Sequence, residues 1–206
     1  TQLVFLPGQT TQNAVVEIIG DDIYEADEQF TLTLSNPVNA SISQDEAICT
    51  IENDDSRPEI FVDDIFVPEG NTGIAQEFFT VTLSNPSAFA GSIDYKTTDN
   101  TATAISGDYE SLATTTLNFA PLEVQKKIQV SVFGDDIYEP DEDFYLDFMN
   151  PVNLTAPASD LKCNILNDDS RPVISAKNTS VVEGDAGTVA ATVSLTLSNP
   201  SAYPVS

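Results

Sequence analysis

The eleven residues Gly20–Phe30 (GDDIYEADEQF) are written again, with two changes, at Gly134–Phe144 (GDDIYEPDEDF). The same offset relates Phe5 to Phe119, Asn36–Asn39 (NPVN) to Asn150–Asn153, and Asn53–Pro58 (NDDSRP) to Asn167–Pro172. It also relates Glu69-Gly70 to Glu183-Gly184 and Thr82–Ala88 (TLSNPSA) to Thr196–Ala202. One period of 114 residues runs through the whole sequence, so the chain must fold as tandem copies of one unit. With the NDDSRP stretch as the joint, residues 1–55 are the back of one unit, 56–169 a complete unit and 170–206 the front of a third. The Ser-Arg-Pro that follows each Asp pair is short, and its proline is stiff, so consecutive units should be held close.

Inside the complete unit the apolar residues alternate with period two. Phe79, Val81 and Leu83 alternate with Thr80 and Thr82, and Ile128, Val130 and Val132 with Lys127, Gln129 and Ser131. Phe144, Leu146 and Phe148 alternate with Tyr145, Asp147 and Met149. With Ile60/Val62, Ile93/Tyr95, Leu117/Phe119 and Leu161/Cys163/Ile165 this predicts seven short strands separated by Asn, Pro, Gly and Asp turns. No helical period is sustained. The predicted fold is all-β: immunoglobulin-like antiparallel β-sandwich repeats of 114 residues.

The charge is lopsided: 33 acidic against 7 basic residues, net −26. That excludes a basic nucleic-acid face. No window reaches the roughly 18 apolar residues of a membrane span, so no membrane insertion by this segment is expected. The chain lacks an initiator Met and a signal peptide, and reads as a mature or trimmed product. Cys49 and Cys163 occupy equivalent places in two copies of one strand, in phase with Ile51 and Ile165. They read as unpaired, buried small hydrophobes. Sequons stand at Asn39, Asn153 and Asn178.

In Gly134–Phe144 six of eleven residues are acidic. Carboxylates crowded into a folded loop repel one another unless a cation intervenes. Ca2+, which takes roughly six to eight oxygen ligands, suits such a set. An up-and-down reading of the strands carries Glu69, Asp108, Asp135, Asp136, Glu139, Glu142, Asp168 and Asp169 to one pole of the sandwich. The fragment 1–55 repeats part of the set as Asp21, Asp22, Glu25, Glu28, Asp54 and Asp55, and 170–206 repeats only Glu183. Asp63, Asp64, Asp94 and Asp147 read as surface charge.

The order of motifs is Val67-Pro-Glu-Gly70, Thr98–Tyr109 (TDNTATAISGDY), Asn118-Phe-Ala-Pro121, Gly134–Glu142 (GDDIYEPDE) and Ile165-Leu-Asn-Asp-Asp169. In that order and spacing they closely resemble the Calx-beta domain, across the complete unit and both fragments. The resemblance implies calcium ligands at Glu69, Asp108, Asp135, Glu139, Glu142, Asp168 and Asp169, with a main-chain carbonyl at Ile137. Calcium-sensing domains of sodium–calcium exchangers in that family carry three aspartates where this chain has Gly134-Asp-Asp and Asn167-Asp-Asp. One or two ions per complete unit are therefore expected, with the weak affinity of extracellular modules, about 10⁻⁴–10⁻³ M.

An enzyme is not expected: there is no His, no Trp, no Gly-rich phosphate loop and no Gly-x-Ser-x-Gly elbow. Near-identical repetition favours a calcium-binding structural repeat of an extracellular fibre, stalk or adhesin, secreted to the cell surface. In that reading Ca2+ rigidifies the joints, and the partners are neighbouring Calx-beta repeats, in the same chain or in copies joined head to tail as a filament by shared strands. The competing reading is a calcium-sensing regulatory module of a membrane transporter or receptor.

Overall fold

A computed structural model describes residues 2–159 and 161–206. Its ordered centre is a sandwich of eight strands: β3 (Ile60–Phe61), β4 (Ile65–Pro68), β5 (Gly73–Leu83), β6 (Gly91–Asp99), β7 (Thr115–Phe119), β8 (Gln125–Gly134), β9 (Glu142–Val152) and β10 (Leu161–Leu166). One sheet has the order β3-β5-β8 and the other β4-β10-β9-β6-β7. Every pair is antiparallel except β4 with β10, which run parallel.

The two sheets close on the residues that the alternation selected. Phe79, Val81, Ile128, Val130, Val132, Phe144, Leu146, Cys163 and Ile165 are buried, together with Ile93 and Phe119. Burying one such side chain stabilises the fold by roughly 1.5–3 kcal/mol. The strand expected around Ile60/Val62 is in fact two. Its first half pairs with β5 and its second with β10, and the chain changes sheets at Val62–Asp64. Val67, which β4 contributes to the core, was hidden by the prolines and acids that flank it.

The same motifs fold differently at the ends. Among the described residues, 2–55 form as strands only the hairpin β1 (Glu28–Thr33) with β2 (Glu46–Ile51), and 170–206 only β11 (Ile174–Ala176) with β12 (Leu195–Leu197). In the complete unit β8 is held by β5, and β7 by β6. The positions that would play β5 and β6 to residues 2–20 are not in this chain, so that stretch has no strand and stays exposed. Cys49 is accordingly exposed, not buried as expected, whereas its counterpart Cys163 is buried; both thiols are free. Burial pushes the Cys163 thiol up to about 12, with Glu77 adding to it.

Two asparagines in each NPVN turn, Asn36 and Asn39 and likewise Asn150 and Asn153, adopt positive φ, which Asn tolerates better than other side chains. Asn153 Nδ2 donates to Ala90 O. Three of the four acids read as surface charge have structural partners. Asp94 accepts from Thr116 and Asn150, Asp147 from Thr98, and Asp64 Oδ1 from Lys162 N.

Candidate metal centre

The acidic pole is assembled by four segments. β4 delivers Glu69, whose amide donates to Leu166 O, so that Glu69 sits beside the end of β10. The β8–β9 loop delivers Asp135 through Glu142. It can approach because residue 134 is glycine: a Cβ there would run into the main-chain oxygens of Glu69 and Gly70. The end of β10 delivers Asp168 and Asp169. Asp168 Oδ1 accepts from Gly70 N, and Asp169 Oδ1 accepts from Asn71 Nδ2.

The fourth segment, residues 100–112, folds over the edge of β8. Phe133 N donates to Asp108 O and Glu110 N to Ser131 O. Tyr109 is buried, stacked on Phe144 at 3.9 Å between ring centroids, with its hydroxyl donating to Asp99 Oδ1. Asp108, next to this anchor, accepts from Thr103 N and the Ser106 hydroxyl.

Glu69, Asp135 and Asp169 each bring a carboxylate oxygen to within 4.8 Å of the others. Glu69 and Asp169 are buried, and Glu69 Oε1 and Asp169 Oδ2 have no hydrogen-bond partner. A buried, unpaired carboxylate oxygen is costly, and a second one facing the same point is costlier. Burial, and then the charges of Glu139, Asp135, Asp169 and Asp168, push Glu69 up to about 8. Glu142 is pushed up to about 7 by burial and by Asp108. Glu139 is raised by burial and by the charges of Asp135, Asp108 and Asp169. The closest-gathered carboxylates of the pole are Glu69, Asp135 and Asp169, and the charges of Asp108, Glu139 and Glu142 act on one another beside them. All donors are hard oxygens, and a divalent cation of the Ca2+ kind would relieve the repulsion.

The remaining expected residues lie as follows. Asp136 is exposed and Ile137 half-buried; Ile137 N donates to Asp135 Oδ1, which fixes the loop. In the first fragment Asn53 ties the segments of Glu25 and Asp55 together. Burial and Glu28, Asp21 and Asp55 raise Glu25, and burial and Asp54, Asp21 and Asp22 raise Asp55. Among the described residues they form no close carboxylate triad, because the counterparts of Glu69 and Asp108 are not in this chain. Glu183 is exposed and belongs to no such group.

Three working residues were not singled out from the sequence. Asn167 Oδ1 accepts from Glu139 N while its Nδ2 donates to Asp169 O, and Asn53 repeats both bonds with Glu25 and Asp55. An aspartate could not make the second bond. Asn71 holds Asp169. The first Asn of each NDD stretch is a brace between two carboxylate-bearing segments, which its repetition could have signalled.

Sodium/calcium exchanger 1 of Canis lupus familiaris is 32% identical over 167 residues, 72% of this chain and 17% of the exchanger. Sodium/calcium exchanger Calx of Drosophila melanogaster is 29% identical over 176 residues, 83% of this chain and 18% of the exchanger. The chain therefore spans less than a fifth of the length of these curated relatives. Among solved structures, calcium binding domain CBD12 of CALX1.1 is similar at 27% identity and a TM-score of 0.46, over 53% of this chain and 44% of that one. That solved domain is described as calcium binding, the ion expected here from the residues.

The relatives correct two expectations. The role as a structural repeat of an extracellular fibre, stalk or adhesin does not stand, because the relatives are sodium/calcium exchangers. The secreted, cell-surface location rested on that role and falls with it. The inference failed because an acidic pole beside a short joint serves a sensing tandem as well as a rigid stalk, and near-identity of repeats does not separate the two. The head-to-tail filament gains no support from these relatives. The Calx-beta domain matches two consecutive stretches, residues 1–55 and 59–169, and the chain belongs to that family.

Proposed function

We propose that this chain is a calcium-sensing regulatory module of an ion transporter, non-catalytic, with its site at the pole of the complete repeat 56–169. Glu69, Asp108, Asp135, Glu139, Glu142, Asp168 and Asp169 would hold the ion or ions, with the Ile137 carbonyl completing the shell. Residues 1–55 and 170–206 are parts of the preceding and following repeats. The observation that carries this reading is the pair of buried, unpartnered oxygens, Glu69 Oε1 and Asp169 Oδ2, gathered with Asp135 within 4.8 Å. Kinship with sodium/calcium exchangers supports the regulatory role over a purely structural one.

When bound, Ca2+ supplies positive charge that the pole otherwise lacks. The protein's own part is to keep four segments poised around the site. The β8–β9 loop, the 100–112 segment and the ends of β4 and β10 are joined here mainly by main-chain and amide bonds, while their carboxylates repel. Relief of that repulsion would tighten the four segments together, a shift in population between a loose and a tight pole.

Calorimetric Ca2+ titration of the 206-residue chain, with backbone amide NMR spectra at each point, tests the reading. Saturable binding should move the amides of residues 69–71, 100–110, 134–142 and 167–169. Absence of binding up to 10 mM Ca2+, or shifts spread evenly over the acidic surface, would contradict it; affinities of Ca2+ modules extend to about 10⁻³ M.

A further inference from the structure

The chain passes between repeats twice, and both times it makes the same contact. At the first joint Tyr24 N donates to Pro86 O (3.0 Å) and Ala88 N donates to Tyr24 O (2.9 Å), a short parallel bridge between Tyr24 and Ser87. Asn85 Nδ2 donates to Ser56 O (3.0 Å) and Asp22 O (3.3 Å), while Asn85 Oδ1 accepts from the Ser84 hydroxyl. At the second joint Tyr138 N donates to Pro200 O (3.1 Å) and Ala202 N to Tyr138 O (3.0 Å). Asn199 Nδ2 donates to Ser170 O (2.9 Å) and Asp136 O (3.4 Å). An aromatic pair flanks each bridge, Tyr24 with Phe89 and Tyr138 with Tyr203, both at 5.7 Å between centroids.

We propose that the Ser-Asn-Pro-Ser-Ala turn, residues 84–88 and again 198–202, is a docking element whose partner is the Gly-Asp-Asp-Ile-Tyr loop of the preceding repeat, and that it fixes the orientation of successive repeats without a bound ion. The turn is shaped by its own repeat. Ser87 Oγ accepts from Phe89 N, Ser87 O accepts from Leu122 N, and Ser84 N donates to Glu59 O. One Asn amide then grips two separate segments, the acidic loop of the preceding repeat and the first residue of the Ser-Arg-Pro joint. The aspartates take part through their carbonyl oxygens, so neither their charge nor its neutralisation is needed for the bonds.

The second joint separates the turn from the sandwich. The repeat that follows it here has only the β11–β12 hairpin, yet the bridge, the amide grip and the aromatic pair are all present. Recognition therefore lies in the turn and the aromatic residue after it, where Phe89 and Tyr203 serve alike. This inference stands apart from the calcium reading, because it makes its prediction for the ion-free protein.

Residue-resolved amide hydrogen exchange on the 206-residue chain, in chelator and in millimolar Ca2+, tests it. The amides of Tyr24, Ala88, Tyr138 and Ala202 should exchange at least about tenfold slower than unstructured amides in both conditions. Asn85→Ala should remove the protection of Tyr24 and Ala88 only, and Asn199→Ala that of Tyr138 and Ala202 only. The β5–β8 amides stay protected in both variants and report an intact fold. Free exchange of the four amides in chelator, or protection that survives both substitutions unchanged, would overturn the proposal.

Discussion

Gly20–Phe30 and Gly134–Phe144 are nearly one sequence in two settings, and they make two different sites. In the second setting the loop lies against Glu69 and Gly70, receives Asp108 from the side, and closes a triad of carboxylates with two oxygens left buried and unpaired. In the first setting the same acids repel and raise Glu25 and Asp55, but no triad closes. The acidic motif supplies charge. The site arises only where β4 and the 100–112 segment bring the partners that the motif lacks.

Paired substitutions at equivalent positions break or sharpen this contrast. The largest difference is expected in the core. Phe144 is fully buried beneath Tyr109, and Phe144→Ala should cost about 3–5 kcal/mol in urea unfolding followed by tyrosine fluorescence. Phe30, in the bare hairpin, is only half-buried, and Phe30→Ala should leave that main transition within about 0.5 kcal/mol. Equal losses would mean that the first fragment is packed as well as the complete repeat.

Next is the glycine that lets the loop approach. Gly134→Ala forces the loop away from Glu69 and should cost about 1–3 kcal/mol by overpacking, weakening Ca2+ binding with it. Gly20 has open space around it, and Gly20→Ala should change neither quantity measurably.

A smaller effect is expected from pH. Glu69 and Glu142 have folded-state values raised to about 8 and about 7 from 4.5, so between these limits the folded protein holds more protons than the unfolded chain. Their relative stabilisation is complete below about pH 4.5 and is lost as pH rises through 7 and 8. In chelator the melting temperature should therefore fall from pH 5 to pH 8. With Ca2+ present binding expels those protons, so the calcium-induced rise in melting temperature should grow over the same interval. A calcium effect independent of pH would remove Glu69 and Glu142 from the site. The smallest difference is one of reactivity: Cys49 should react with a thiol reagent in the native protein and Cys163 only on unfolding.

The sandwich was legible because its strands alternate strictly where both sheets are present. Phe79, Ile128, Phe144 and Cys163 all point inward as their period requires. The split of the first strand was not legible, since Ile60 and Val67 look like one interrupted run until β5 and β10 claim them separately. At the pole Glu69, Asp135 and Asp169 lie together, as the up-and-down reading of the strands expects. The reason for Gly134 and the grip of Asn85 could not be read in advance, because each depends on main chain brought near from elsewhere in the sequence, and repetition could mark Asn167 without showing that it braces Glu139 N. The cellular role was misread for a related reason. Spacing specifies an acidic pole, but it does not say what such a pole controls.

The most direct test of the central contrast is a Ca2+ titration of the intact chain beside Glu69→Gln and Glu25→Gln. The account predicts at least a tenfold weaker tightest site in Glu69→Gln, about 1.4 kcal/mol, with that site unchanged in Glu25→Gln. Equal weakening by the two substitutions, or none by Glu69→Gln, would show that calcium follows the acidic motif itself and not the pole that the complete repeat builds around it.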